Sequence, residues 1–288
     1  MNIASLFQQK RTVLSFEVFP PKKSSSIETI YNTLEELKGL KPDFISVTYG
    51  AGGNAGDRTT CEIATSIKQN YGIEPLAHLT CVNYTKQEIM GILDQLEQNN
   101  IENILALRGD INPEVPPKEE FHYASDLVTF IKERGGFHVS GACYPEGHIA
   151  SRSPVEDVLN LKKKVEAGAE HLISQLFFDN EYFYSFLDKA RIAGITVPIE
   201  AGIMPVVNKA QIERMVTLCG ASLPQKFTKM LQRFEYSPEA LREAGIAYAV
   251  DQIVDLISQG VDGIHLYTMN NPYIAKRISN SIEGILRA

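Results

Sequence analysis

Glu17 is a carboxylate that stands inside an apolar run and could take part in proton chemistry. It lies in the segment LSFEVFPP, next to Phe16, Val18 and Phe19. Apolar neighbours remove water from a carboxyl group, which raises its pKa and lets it donate a proton near pH 7. The alternative is a strand glutamate that faces solvent or pairs with Lys22. We take Glu17 as a candidate general acid.

A second carboxylate, Asp110, closes the segment ILALRGD. Gly109 permits a tight turn before it, and Arg108 brings a cation close to it. Asp110 could therefore be a fixed negative charge beside a ligand. It could also form a local salt bridge with Arg108 that shapes the loop, and the two roles are compatible.

Two segments could approach a phosphate-bearing ligand. The segment YGAGGNA at 49–55 fits the loose dinucleotide pattern G-x-G-x-x-A. The acidic residue expected about 20 residues later is missing, so we expect these glycines to admit a ligand without forming a Rossmann site. Further on, Lys162, Lys163 and Lys164 follow Asp157 and Asn160 at helical spacing. This basic helix edge could hold a diphosphate, or its lysines could simply be solvated.

Several other chemistries lack their sequence signals. His78, His148 and His265 are scattered, and neither HxH nor HExxH occurs, so we predict no metal site. The G-x-S-x-G elbow of serine hydrolases is absent. No predicted strand has an interior lysine that could form a Schiff base. Acid catalysis beside a bound ligand is the remaining prediction.

The composition is that of an ordinary globular protein with small-molecule partners. The 288 residues are 44% hydrophobic and 22% charged, and the net charge is -7. A negative charge disfavours binding to nucleic acids or anionic membranes. The four cysteines form no CxxC pair and are expected to be reduced thiols. No signal sequence or long apolar run is present, so we expect a cytoplasmic protein.

Short β-rich runs alternate with amphipathic stretches along the whole chain. The predicted strands are 12–19, 44–49, 74–80, 103–107, 138–143, 171–177, 197–201 and 263–268. The predicted helices are 27–40, 57–69, 86–98, 124–134, 155–167, 181–193, 211–218, 241–259 and 273–286, with an extra helix at 224–234. Eight such units predict a single-domain (β/α)8 TIM barrel over residues 1–288.

A TIM barrel carries its active site at the carboxyl ends of its strands. The predicted strands place these polar residues at or just past those ends: Glu17, Thr48, His78, Asp110, Tyr144, Gln175 and Tyr267.

Seven segments at successive strand ends, taken together, resemble the methylenetetrahydrofolate reductase family. They are SFEVFPPK at 15–22, SVTYGAGG at 46–53, LRGD at 107–110, YPEGH at 144–148, SQLFFD at 174–179, GIMPV at 202–206 and HLYTMN at 265–270. They span nearly the whole chain. Because the chain ends at Ala288, just past the last predicted helix, the resemblance covers the catalytic barrel without the regulatory domain of eukaryotic members.

The resemblance implies an FAD-dependent oxidoreductase of one-carbon metabolism and methionine biosynthesis. Such an enzyme reduces 5,10-methylenetetrahydrofolate to 5-methyltetrahydrofolate with NADH or NADPH, in ping-pong fashion through one site. By this resemblance Glu17 is the general acid that protonates the folate. Asp110 is the charge beside the flavin and the pterin, where it favours the developing cation.

The family pattern also implies binding residues. The FAD contacts would be Tyr49, Ala51, His78, Arg108, Gly109, Asp110, Ala124, Tyr144, His148, Asp157, Asn160, Lys163 and Lys164. Thr48, Gln175 and Gln211 match positions that meet the nicotinamide or the folate, and Asp110 also belongs to the folate site. The chain departs from many relatives at Asn271 and Met215, where contacts to the folate tail and the nicotinamide are expected to differ.

Two other functions stay open on the sequence. A pterin-binding methyltransferase barrel would use folate without a flavin. A non-catalytic folate-binding subunit would not need Glu17. For any of these, a homo-oligomer is expected, because barrels of this kind commonly associate through their helices.

Overall fold

The structure is a computed structural model that describes residues 1–21, 26–49, 56–111 and 116–287, with only the backbone described for 56–58 and 211. Within it, eight parallel strands pair in sequence order and close into a barrel, as predicted. The strands are β1 Val13–Val18, β2 Phe44–Val47, β3 Glu74–Thr80, β4 Asn103–Leu107, β5 His138–Cys143, β6 His171–Ser174, β7 Ile199–Ile203 and β8 Gly263–Tyr267.

Helices surround the barrel. They are α1 Leu6–Gln9, α2 Glu28–Lys38, α3 Gly56–Tyr71, α4 Lys86–Gln98, α5 Ala124–Arg134, α6 Pro154–Glu166, α7 Asn180–Ile192, α8 Lys209–Cys219, α9 Gln225–Phe234, α10 Pro238–Ser258 and α11 Pro272–Leu286. Caps fix several of their starts; Ser237, for example, accepts a hydrogen bond from the Ala240 amide before Pro238 begins α10. In the part of the chain that is described, no helix is long and apolar enough to cross a membrane.

Side chains alternate between the two faces of each strand. In β1, Phe16 and Val18 point outward and join the main core between strands and helices. Ser15 and Glu17 point inward, where Ser15 meets side chains of strands across the barrel. Most apolar side chains are therefore buried between the strands and the helices, while polar side chains occupy the barrel interior toward the carboxyl ends of the strands.

The predicted strands 12–19, 44–49 and 263–268 extend one or two residues beyond the observed ones, and two others differ more. The predicted strand 171–177 stops at Ser174, because the Leu176 amide leaves the ladder and donates to the Gln175 side chain. The predicted strand 197–201 is shifted to Ile199–Ile203. Pro198 has no N–H to donate to the strand ladder, which explains the later start.

The first nine residues form structure that the sequence analysis did not predict. A 3-10 helix, Ile3–Ser5, and α1 cover the amino-terminal end of the barrel. Ile3 and Leu6 pack there on inward-facing apolar side chains of five strands. This layer closes the bottom of the barrel, opposite the predicted site.

Candidate active site

Glu17 lies at the carboxyl end of β1, next in register to Ser46 on β2 and Tyr267 on β8. Its side chain is 19% exposed, and its Oε2 atom lies 3.6 Å from Nε2 of His78 and 3.7 Å from Nε2 of His265. The expectation of apolar neighbours is wrong, because the alternation of the strand sends the adjacent side chains to the outer core. Two imidazoles surround this carboxyl instead.

His78, on β3, is buried beside Glu17. Burial lowers the pKa of His78 from 6.5 to about 4, and His265 adds to this effect while the Glu17 carboxylate opposes it. His78 is therefore neutral at pH 7. Burial likewise raises the pKa of Tyr267 well above its usual value, and its hydroxyl donates to the Ser174 carbonyl at 2.7 Å.

Asp110 lies on the loop after β4, and its side chain is exposed. Gly109 has φ of +88°, and a Cβ there would lie 3.1 Å from Cβ of Thr80, so the turn requires glycine as predicted. Arg108 does not pair with Asp110; its Nε donates to the Gly109 carbonyl at 3.2 Å. The suggested local salt bridge is thus replaced by a backbone contact. Asp110 keeps an open carboxylate that contributes to raising the pKa of Tyr144.

A cavity of about 600 Å³ opens between the ends of β4 and β5 and the face of α6. Its walls carry both signs of charge, including Arg152 and Glu156 beside the predicted residues. A pocket of this size is typical of a small-molecule or cofactor site. Eight residues predicted to contact FAD line it together: Arg108, Ala124, Tyr144, His148, Asp157, Asn160, Lys163 and Lys164.

Tyr144 and His148 form an aromatic corner of this cavity. Their rings pack edge to face with centroids 4.6 Å apart. The Ala150 amide donates to Nδ1 of His148 at 3.0 Å, which leaves the Nε2 atom to carry the proton of the neutral ring. Burial raises the pKa of Tyr144 to about 12 and, together with Arg108, lowers that of His148. Both groups are therefore neutral donors at pH 7.

The three consecutive lysines of α6 have three different surroundings. Lys162 is half-buried and lies 3.9 Å from Glu166, outside the cavity. Lys163 is exposed, lines the cavity and donates to Oδ1 of Asn160 at 3.3 Å. Lys164 is half-buried, and its Nζ donates to the Ala142 carbonyl at 2.6 Å. Lys162 is thus outside the cavity, whereas Lys163 can reach a ligand and Lys164 is fixed in the wall.

Other predicted residues, which include Thr48, Tyr49 and Gln175, lie at strand ends outside the cavity lining. The Thr48 amide donates to the Val18 carbonyl, and the Tyr49 hydroxyl donates to that of Tyr84 at 2.6 Å. Gln175 uses its Oε1 atom on the Leu176 amide, so its NH2 group is the part that faces a ligand. Ala51 lies outside the described residues, and the side chain of Gln211 is not described.

The two departures from the family pattern have structural roles. Asn271 caps α11, where its side chain accepts from the Ile274 amide at 3.3 Å. Met215 packs against a cluster of buried apolar side chains beyond β6 and β7 that includes Phe227. An arginine or an aromatic side chain at these positions would have to replace those contacts.

Sequence reasoning missed the polar residues inside the barrel. Ser15, Glu200 and His265 are fully buried, and the Ser15 hydroxyl is hydrogen-bonded to both of the others. The signal was available, because each polar residue stands two positions from another inward-facing residue of its strand. Across the described ranges, no group of three or more His, Cys, Asp or Glu side chains is arranged to hold a metal ion.

A family model and several known proteins match this chain over most of its length. The family model for methylenetetrahydrofolate reductase matches residues 2–283. The 5,10-methylenetetrahydrofolate reductases of Pectobacterium carotovorum and Escherichia coli are 38% and 39% identical, over 95% and 93% of this chain and 91% and 90% of theirs. An Arabidopsis thaliana methylenetetrahydrofolate reductase (NADH) is 35% identical over 99% of this chain, which spans 49% of the plant protein.

A solved structure has the same fold at lower sequence identity. It is a Clostridium thermocellum protein that binds two copies of 5-methyl-5,6,7,8-tetrahydrofolic acid, and it aligns with a TM-score of 0.68 over 100% of this chain and 99% of its own. Its identity of 14% supports the barrel fold alone. From the family model and the bacterial relatives, the chain belongs to the methylenetetrahydrofolate reductase family of oxidoreductases.

Proposed function

We propose that this chain reduces 5,10-methylenetetrahydrofolate to 5-methyltetrahydrofolate, with FAD as its bound cofactor and NADH or NADPH as the electron donor. The two substrates would use one site in turn. The observation that carries the proposal is the cavity beside α6, which gathers Arg108, His148 and Lys163. It opens at the carboxyl ends of the strands, the same end of the barrel that carries Glu17 on β1 and Asp110 after β4.

The residues present fit a flavin dinucleotide. Arg108 and Lys163 offer positive charge and N–H donors to a diphosphate, and Tyr144 offers an aromatic face. Asp157 would hold a polar part of the nucleotide, and it accepts from the Ser151 hydroxyl at 2.8 Å, which fixes its orientation. When bound, FAD would accept hydride from the nicotinamide and deliver it to the folate.

The two carboxylates have separate roles in this proposal. Glu17 holds a proton between His78 and His265 and gives it to the folate, which opens the methylene bridge to a reactive cation. Asp110 contributes a fixed negative charge at the rim of the site, which favours that cation. Gln175 orients the pterin through its NH2 group.

We further propose that the protein works in the cytoplasm as a homo-oligomer. The basis for the location is the cysteines, since Cys61, Cys81, Cys143 and Cys219 are all free thiols. The plant relative is described as an NADH enzyme, which supports a nicotinamide donor, and NADH and NADPH are both to be tested.

Anaerobic half-reactions test the proposal. The protein is reconstituted with FAD, and NADH or NADPH is added while the flavin absorbance is followed; 5,10-methylenetetrahydrofolate is added next. We expect a yellow protein that bleaches with at least one nicotinamide and regains its colour with the folate. A protein that binds no FAD would refute the proposal. Methyl transfer from 5-methyltetrahydrofolate without flavin would favour the methyltransferase barrel instead.

A further inference from the structure

Below Glu17, polar side chains cross the barrel interior in a continuous line. They are all buried, and they come from six different strands. In order across the barrel they are Ser140, His171, Glu200, Ser15, His265 and Ser46.

The first half of the line ends on Glu200. Oγ of Ser140 lies 3.0 Å from Nδ1 of His171, and Nε2 of His171 lies 3.0 Å from Oε2 of Glu200. A carboxylate oxygen accepts, so the proton on this side belongs to Nε2 of His171. Ser140 then donates to Nδ1, while Nε2 of His171 and Oε2 of Glu200 lie close as an ion-pair contact without hydrogen-bond geometry.

In the second half of the line, from Glu200 to His265, the donor and the acceptor of each hydrogen bond can be assigned. The Ser15 hydroxyl donates to Oε1 of Glu200 at 2.8 Å, which uses its single proton. Nδ1 of His265 lies 2.6 Å from Oγ of Ser15, and because the proton of that hydroxyl is already donated to Glu200, this nitrogen must be the donor. In the neutral ring the other nitrogen, Nε2, is then an acceptor.

That acceptor faces Glu17. Nε2 of His265 lies 3.7 Å from Oε2 of Glu17 and 3.4 Å from Oγ of Ser46. A distance of 3.7 Å is longer than a hydrogen bond, but such contacts in a ligand-free site commonly shorten when substrate binds. A small rotation of the carboxyl would let protonated Glu17 donate to His265.

We propose that Glu200, acting through Ser15, holds His265 in the tautomer whose Nε2 accepts a hydrogen bond from protonated Glu17. His265 is thereby a positioning residue for the proton donor. This inference rests on the proposed function, because it assumes that Glu17 supplies a proton to the folate.

Packing alone does not call for this line of polar groups. Other inward-facing positions of the same barrel are apolar, with Val13, Phe44, Leu76, Leu105 and Ile173 packed on Ile3 and Leu6. Buried polar groups cost free energy unless every partner is present, and apolar side chains of similar volume are often as stabilising. A line of buried polar groups directly under Glu17 is therefore better explained by what it does to Glu17.

The tautomer of His265 can be read by ¹⁵N NMR of the FAD-loaded protein with labelled histidine. The chain has only six histidines, and His265→Gln assigns the signal by its loss. We expect the proton on Nδ1 in the wild type. In Glu200→Gln, the amide oxygen should face His171 and the NH2 group should face Ser15. Ser15 then accepts from Gln and donates to Nδ1 of His265, so the proton of His265 moves to Nε2.

Ser15→Ala and Ser140→Ala form a matched pair, since both remove a buried hydroxyl that contacts Nδ1 of a histidine. Ser15→Ala should release His265 into a mixture of tautomers and slow flavin reoxidation by the folate about tenfold, the worth of one buried hydrogen bond. Ser140→Ala should change neither. In both variants, flavin reduction by the nicotinamide should be unchanged.

The outcomes separate the two proposals. An active wild type with the proton of His265 on Nε2 would overturn this inference, and so would an unchanged tautomer in a folded Glu200→Gln protein. Equal losses in Ser15→Ala and Ser140→Ala would point to packing and overturn it too. The expected tautomer in a protein that cannot reduce the folate would instead refute the proposed function, and the role of Glu17 with it.

Discussion

The barrel interior below Glu17 and the cavity beside α6 are both polar, but their side chains are satisfied in different ways. In the interior, Ser15 joins Glu200 to His265, and all three are closed to solvent. In the cavity, Arg108 and Lys163 each make one long hydrogen bond to the residues that the structure describes, at 3.2 and 3.3 Å, and present N–H donors to the cavity. The interior is organised to keep a proton in one place, whereas the cavity is organised to receive a charged ligand.

The strongest test of this contrast is Glu17→Gln, which removes the proton donor and keeps the shape of the side chain. We expect flavin reoxidation by 5,10-methylenetetrahydrofolate to slow by about 10²- to 10⁴-fold, the usual contribution of a general acid. Flavin reduction by the nicotinamide should be nearly unchanged. Stopped-flow absorbance measures both steps. As a control, Glu243→Gln on the helical surface should affect neither, and equal loss of both steps in Glu17→Gln would contradict the division of roles.

Gly141→Ala tests how firmly the wall of the cavity is fixed. A Cβ at this position would lie 2.7 Å from Cδ of Lys164, whose Nζ is tied to the Ala142 carbonyl. Because the lysine cannot move aside without breaking that bond, we expect a loss of about 3 kcal/mol in the free energy of unfolding. Urea denaturation measures it.

Gly91→Ala is the matched control, since no atom lies within 4 Å of a Cβ there. This exposed position in α4 should gain about 0.5–1 kcal/mol from the better helix former. If Gly141→Ala were equally harmless, the wall around Lys164 would be more adaptable than its contacts indicate.

The neutral state of His78 predicts a loss of stability in acid. Its pKa is about 4 in the folded protein and 6.5 by default, so between these values the unfolded chain binds more protons and falling pH favours unfolding. Between pH 7 and pH 5 this group alone should cost about 2 kcal/mol. Urea denaturation at the two pH values should show a smaller loss for His78→Gln. The exposed His122→Gln should behave like the wild type, and a His78→Gln protein that does so as well would argue against a buried neutral imidazole.

The smallest expected effect concerns the lysines of α6. Lys163→Ala removes a cation from the cavity and should weaken FAD binding about tenfold, the worth of one charge-assisted hydrogen bond. Lys162→Ala removes a lysine that lies outside the cavity and should leave the affinity unchanged. Fluorescence titration of the flavin-free protein gives both constants. Equal weakening by the two variants would mean that general charge, and not contact, attracts the cofactor.

Much of the fold could be predicted from sequence because its signals are local. The alternation of short apolar runs with amphipathic stretches predicted eight strands, and the structure pairs them in order. Strand ends were less accurate where a side chain takes a backbone donor out of the ladder, as after Ser174, where the Leu176 amide donates to the Gln175 side chain. The helical turns before β1 were missed because Ile3 and Leu6 are stabilised by distant strands.

The sequence predicted which residues belong to the site better than it predicted which side chains contact them. Strand-end position and motif resemblance selected eight residues that one cavity gathers. The neighbours of Glu17 were wrong, because adjacency in sequence placed Phe16 beside it whereas the strand turns that side chain away. His78 and His265 are far apart in the chain, and only barrel closure brings both within 4 Å of the same carboxyl.

The pairing of β1 with β8 joins the two ends of the chain, and the contact between Ser15 and His265 spans 250 residues. Contacts of such long sequence separation form late and slowly during folding. On the ribosome, His265 is made 250 residues after Ser15, so Glu17 has no partner on β8 until those residues have been synthesised. A chain without β8, or with β8 unpaired, thus cannot place His265 beside Glu17. Catalytic activity therefore requires the completely folded barrel.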